Sequence, residues 1–154
     1  MQRNIIVFLA AAGLAASLPT AAAPMLGGIY GGGGLSYNWL DDDGALGYQV
    51  FAGFEPVLAG LGPLRLGGEL GYRGSGSFDD GGAREGVWAG GHARAALLPG
   101  LSVLGRLGWD FGDESGVLYG VGVGHQVNPL LEVRGDFVVR DETDSLQLNL
   151  ILRY

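Results

Sequence analysis

The sequence contains no cysteine and no lysine, and past residue 25 it holds neither a segment with helical periodicity nor an apolar run of transmembrane-helix length. Each absence removes a class of protein. Without cysteine there is no disulfide, no thiolate metal site and no redox thiol pair, so an exported chain must be stabilised by other means. Without lysine, the nine basic residues are all arginine, and they face sixteen acidic ones for a formal charge of −7. That balance argues against nucleic acid as a partner, because phosphate backbones are bound by basic faces. Without amphipathic stretches or apolar runs of about 20 residues, the mature chain is neither a helical bundle nor a helical membrane protein.

Glycine is what the chain has in excess, 31 of 154 residues, against a usual share of about 7%. No G-X-Y period runs through it, which excludes a collagen-like chain. The glycines lie inside alternating apolar segments, which argues against a disordered linker. "YGGGGLSY" (30–37) lacks the lysine and the following helix of a phosphate loop, so it is better read as the small residues of a first strand.

At the N-terminus, Met1 to Asn4 carries one positive charge, and "IIVFLAAAGLAA" (5–16) is too short an apolar run to span a bilayer. Pro19 and the small residues of "TAAA" follow. This is the pattern of a secretory signal peptide over residues 1–22, with cleavage placed to within one residue. The remainder, 23–154, is one domain.

A period of two divides that domain into eight segments of about ten residues, near 28–39, 46–56, 63–73, 86–98, 101–111, 117–127, 130–140 and 145–154. The connections alternate in kind. The odd ones are acidic ("LDDDGA", "GSGSFDDGGARE", "GDES", "DETD"), and the even ones contain proline ("PVLAGLGP", "LPGL", "NPL"). An up-and-down meander would gather the acidic loops at one end and the proline turns at the other. Two compartments would account for that sorting.

Within the strands one face is apolar and the other rich in glycine and in charges of both signs. A soluble barrel would put the apolar face inside; a membrane barrel inverts it. Inversion is favoured because eight strands leave a lumen just wide enough for side chains. Closure also removes the exposed sheet edges of an all-strand chain. The fold expected is therefore all-β, a closed up-and-down antiparallel transmembrane barrel of eight strands. The aromatics fit it. Tyr37, Trp39, Tyr48, Tyr72, Trp109, Phe111 and Tyr119 fall on apolar faces near the acidic end, and Phe54 and Tyr154 near the proline end. Rings at both borders of an apolar band are what bilayer interfaces select.

Inverted, the chain sends Arg65, Arg73, Arg94, Arg106, Arg134, Arg140 and Arg153 inward, facing Glu55, Glu69, Asp110, Glu132 and Asp136. Paired and hydrogen-bonded, such charges can form a network that fills the lumen. Arginine's planar fork suits that pairing better than lysine would. The network is structural, or else it gates a weakly conducting pore. His92 is placed inward beside Arg94 and His125 outward near a proline turn. Neither has a nucleophile or a rim position, so no catalytic residue, cofactor or metal site is assigned. The carboxylates of the acidic loops are a solvated surface, or divalent-cation bridges to lipopolysaccharide phosphates.

"LGGELGYRGSG" (66–76), "YGVGVGHQVNPLLEVRGDF" (119–137) and the closing "LQLNLILRY" resemble the small eight-stranded outer-membrane barrels of Gram-negative bacteria, the OmpA-like transmembrane domain and its OmpX-type relatives. The resemblance implies that Leu148, Leu150, Leu152 and Tyr154 form the ending that the barrel-assembly machinery reads. It also implies periplasmic chaperones during biogenesis and outer-membrane lipid and lipopolysaccharide as surroundings. OmpA's peptidoglycan-binding domain has no counterpart before the chain stops at Tyr154, so cell-wall tethering is not expected. The expectation is a monomeric, non-enzymatic barrel with a structural or envelope role, acidic loops outside and proline turns in the periplasm. The alternatives are a small ion or solute channel and, less well supported, a lipid-A-modifying enzyme. Ile151 interrupts the polar side of the last strand, and nothing in the sequence explains it.

Overall fold

A computed structural model describes residues 28–40, 43–58, 61–77, 82–113, 115–141 and 143–154. The expected signal peptide lies outside these residues, as do Asp41, Asp42, Asp79, Asp80, Glu114 and Glu142 of the acidic connections. Eight strands follow one another: β1 (Ile29–Leu40), β2 (Asp43–Phe54), β3 (Leu64–Ser77), β4 (Ala83–Leu98), β5 (Leu101–Asp110), β6 (Gly116–Asn128), β7 (Leu131–Val139) and β8 (Asp144–Arg153). Each pairs antiparallel with its sequence neighbours, and β8 pairs with β1 to close the barrel.

Three boundaries differ from the sequence expectation by three residues or more, all at the acidic end. β2 begins at Asp43, because Asp43 pairs with Leu40 across the first connection. β3 runs on to Ser77 and β4 begins at Ala83, so "GSGS" belongs to a strand and not to a loop. The ladder there passes an irregularity between Gly74 and Ser77, with Gly76 at φ +82°. Backbone hydrogen bonds do not require an apolar side chain, so a strand can outrun the pattern that reveals it.

Two of the three proline turns are two residues long. Pro99 and Gly100 bridge Leu98 and Leu101, and Gly100 takes φ +77°, as the third position of a type II turn requires. Between β6 and β7 the side chain of Asn128 accepts hydrogen bonds from the backbone N–H of Leu130 and of Leu131, each at 2.9 Å. An asparagine is suited to that local bond.

The two faces of the wall are inverted relative to a soluble protein. Leu46 is 74% and Leu148 63% exposed on the outside, while Arg134 and Asn149 are fully buried within. An unpaired charge in such an interior would cost several kcal/mol, so the arrangement stands or falls with the pairing inside.

Candidate functional site

The lumen holds three polar clusters. At the centre, the Glu69 carboxylate accepts from Arg134 Nη1 and from the Tyr30 hydroxyl, both at 2.7 Å. Its other oxygen lies 3.3 Å from Arg106 Nη2. Asp136 Oδ2 accepts from Arg134 Nε at 3.0 Å, from Arg106 Nη2 at 3.3 Å and from Asn149 Nδ2 at 2.8 Å. Gln49 extends the network to β8, donating to Asn149 and Gln147 at 2.8 Å each. Two arginines and two carboxylates here neutralise one another.

Towards the acidic end, Asp110 Oδ2 accepts from Arg73 Nε at 2.7 Å and from Arg140 Nε at 3.2 Å. Arg140 also donates to Ser145, whose hydroxyl donates to Asn38. Arg84, which the sequence pattern left in a loop, falls on the lumen face here because β4 starts earlier than expected.

At the proline-turn mouth the ion pairs close on themselves. Glu55 accepts from Arg94 Nε at 3.1 Å, Arg94 Nη1 donates to Glu132 at 2.8 Å, and Glu132 accepts from Arg153 at 2.7 Å. Arg153 returns to Glu55 at 3.6 Å. His92 Nε2 lies 3.0 Å from Glu55 Oε2, and Ser102 accepts from Arg94. Glu55 sits just past the end of β2. Burial opposes its ionisation, but the hydrogen bond from His92 and the charges of Arg94 and Arg153 outweigh that and hold its carboxyl below the usual range.

All twelve charged residues expected in the lumen lie on its face, and eleven join these clusters. Arg65 is the exception. It is half-buried at the proline-turn rim, opposite Arg94 in the ladder. The carboxylates nearest it in the fold are committed to other arginines.

The interior is not polar throughout, which the sequence did not indicate. Tyr30, Phe51, Trp88, Leu118, Val138 and Ile151 form a buried apolar cluster inside the barrel. Ile151 thus belongs to a packed group, which accounts for its break in the polar face. Phe51 and Trp88 pack with ring centroids 6.2 Å apart. Arg134 lies 4.8 Å over Phe51 and Arg106 5.4 Å over Trp88, adding cation–π contacts beneath the rings.

Glycines make room for these rings. A Cβ on Gly32 would meet the Phe51 ring at 2.5 Å, and one on Gly71 would meet Trp88 at 2.6 Å. One on Gly53 would collide with Tyr30. Gly71 lies between Glu69 of the central cluster and Arg73 of the outer one, and the Trp88 ring covers it. Along β3 the rings therefore separate Glu69 from Arg73. The available signal was alternation itself, which puts Tyr30, Phe51 and Trp88 on the polar faces, together with the glycines their pairing opposes.

Of the other assigned residues, Tyr37, Trp39, Phe54, Trp109, Phe111 and Tyr119 are exposed outside, and Tyr48 and Tyr72 are half-buried. The Tyr72 hydroxyl donates to Glu85 at 2.6 Å. Leu148, Leu150 and Leu152 form an exposed outer stripe, and the N–H of Tyr154 donates to Ile29 at 3.0 Å. His125 is exposed on the outside and far from His92 in the ladder.

No family model matches the chain, and no curated protein matches it by sequence. Solved structures match its fold. A de novo designed transmembrane β-barrel has a TM-score of 0.61 at 15% identity, covering 83% of this chain and 96% of the designed one. Ail, the attachment invasion locus protein of Yersinia pestis, has a TM-score of 0.54 at 14% identity, covering 82% of this chain and 95% of Ail. Neisserial surface protein A has a TM-score of 0.53 at 10% identity, covering 82% and 96%. The class is therefore defined: this chain has the fold of the small eight-stranded outer-membrane barrels. At these identities the likeness is one of fold alone.

Proposed function

We propose that the chain is a non-enzymatic integral barrel of the bacterial outer membrane with a structural or envelope role, its lumen closed and not conducting. The observation that carries this is the inversion of the wall: leucines, valines and rings outside, a paired charge network inside. A bilayer is the solvent that tolerates the first and demands the second. Closure is supported by the Phe51–Trp88 packing, since apolar constrictions in narrow pores exclude water. In this reading the acidic connections face outward, lipid and lipopolysaccharide surround a monomer, and the ending at Leu148, Leu150, Leu152 and Tyr154 is what the assembly machinery engages.

The test is made on the refolded protein. The expected result is a requirement for detergent, gel migration that changes on heating, and no steady conductance in planar bilayers. A mature protein soluble without detergent would overturn the membrane reading. Steady single-channel currents would instead decide for the alternative, a small ion or solute channel lined by the arginine network.

A further inference from the structure

Arg65 and Arg94 occupy directly paired positions on β3 and β4, both on the lumen face. Like charges so placed repel, and a fold retains such a pair only if something offsets it. The offset is incomplete within the chain. Glu55 and Glu132 are the carboxylates of this mouth, and both are shared among Arg94, Arg153 and, for Glu55, His92. Three arginines (Arg65, Arg94, Arg153) thus stand at a mouth with two side-chain carboxylates, and Arg65 pairs with neither. Arg65 has no hydrogen bond or ion pair among the described residues. Arg94 Nη2, a guanidinium donor, is buried and has no partner either. A buried donor without a partner calls for a ligand or a water, and two opposed guanidiniums favour a ligand that is an anion.

We propose that the proline-turn mouth is a binding site for a phosphate-class oxyanion, gripped by Arg65 at the rim and by Arg94 within. The guanidinium fork matches the spacing of oxyanion oxygens and can engage two at once. The half-exposed position of Arg65 gives the anion a way in from the turn side, while Tyr30 and the quartet it bonds to fill the lumen beyond. Bound there, it would convert an opposed arginine pair into a bridged one. The phosphate could be a lipid headgroup monoester at the membrane surface or a free anion in the adjoining compartment. The site itself rests on the lumen geometry and not on the barrel's cellular role.

The experiment uses the whole barrel refolded in a phosphate-free sugar detergent. Inorganic phosphate is titrated at constant ionic strength against chloride, and arginine Nε resonances and melting temperature are followed. The expected result is a saturable shift at Arg65 and Arg94, with Arg73 and Arg140 unmoved, and a rise in melting temperature. Arg65→Gln should weaken the response about tenfold or more, the loss of one charge-assisted contact. It should fold at least as well as wild type without phosphate, because it removes a repulsion. Arg65→Lys should fall between the two. In a second arm, phosphatidic acid replaces the buffer phosphate in the same micelles. A response confined to that arm assigns the source to lipid, and a response to free phosphate assigns it to the compartment. No saturable response in either arm, or an Arg65→Gln variant that responds like wild type, overturns the proposal.

Discussion

The centre of the lumen and the rings beside it fill the same narrow tube in opposite ways. The quartet of Glu69, Arg106, Arg134 and Asp136 fills it with long side chains whose charges cancel, each carboxylate taking more than one donor. The cluster around Phe51 and Trp88 fills it with bulk, and makes space by omitting side chains opposite: Gly32, Gly53 and Gly71. One region is specified by electrostatics and tolerates little loss of charge. The other is specified by volume and tolerates little gain of it. Three of the chain's 31 glycines follow directly from the second, because an eight-stranded tube has no slack to give.

That contrast can be broken at each end. Glu69→Leu should have the largest effect. It leaves Arg106 and Arg134 buried with half their partners, an uncompensated charge that costs about 3–5 kcal/mol. Urea unfolding of the refolded barrel would show it, and an unchanged midpoint would mean that the quartet is not a coupled unit. Trp88→Ala should cost about 3 kcal/mol or more through the void left by the ring. It should also open a polar path between Glu69 and Arg73, so planar-bilayer conductance should appear in this variant and not in Glu69→Leu.

Gly71→Ala tests the volume rule from the other side. Its Cβ would press on the Trp88 ring, for an overpacking cost of about 1–3 kcal/mol. Gly105→Ala, on the outer face with nothing within 4 Å of the added carbon, should stay within about 0.5 kcal/mol of wild type. Equal losses from the two alanines would show that strand propensity, not the ring, sets the requirement for glycine.

At Glu55 the effect expected is a dependence on pH. Its carboxyl is held below the usual range in the folded barrel, so the stability it contributes is complete above the ordinary carboxylate pKa. It declines as pH falls through the lowered value. Melting curves between neutral and acidic pH should show this decline in wild type and a flatter profile in Glu55→Gln. An identical pH dependence would place the acid-sensitive step elsewhere.

Much of this architecture was legible because it is written at a spacing of two residues. Strand number and order, the sorting of connections and the facing of Glu132, Arg134 and Asp136 all follow from alternation, a local property. What the sequence withheld depends on register between strands. That Trp88 lies over Gly71, or that Arg134 reaches across to Glu69, requires knowing how far one strand slides past others in the closed ring. The same ignorance made Arg65 look like one more member of the network, when pairing sets it against Arg94. Strand ends at the acidic side were also missed. "GSGS" reads as loop chemistry, yet its backbone continues the ladder.

The rung between Tyr30 and Arg153, and the bond from the N–H of Tyr154 to Ile29, join the first strand to the last. A ladder of that kind is among the slowest contacts a chain can form, since nearly the whole polypeptide must be in place before it rewards closure. Until then both β1 and β8 present open edges, each a template for the wrong partner. The seam therefore sets a timing problem as well as a shape. Pairings between consecutive strands can form locally, but the ring itself closes only when β8 meets β1.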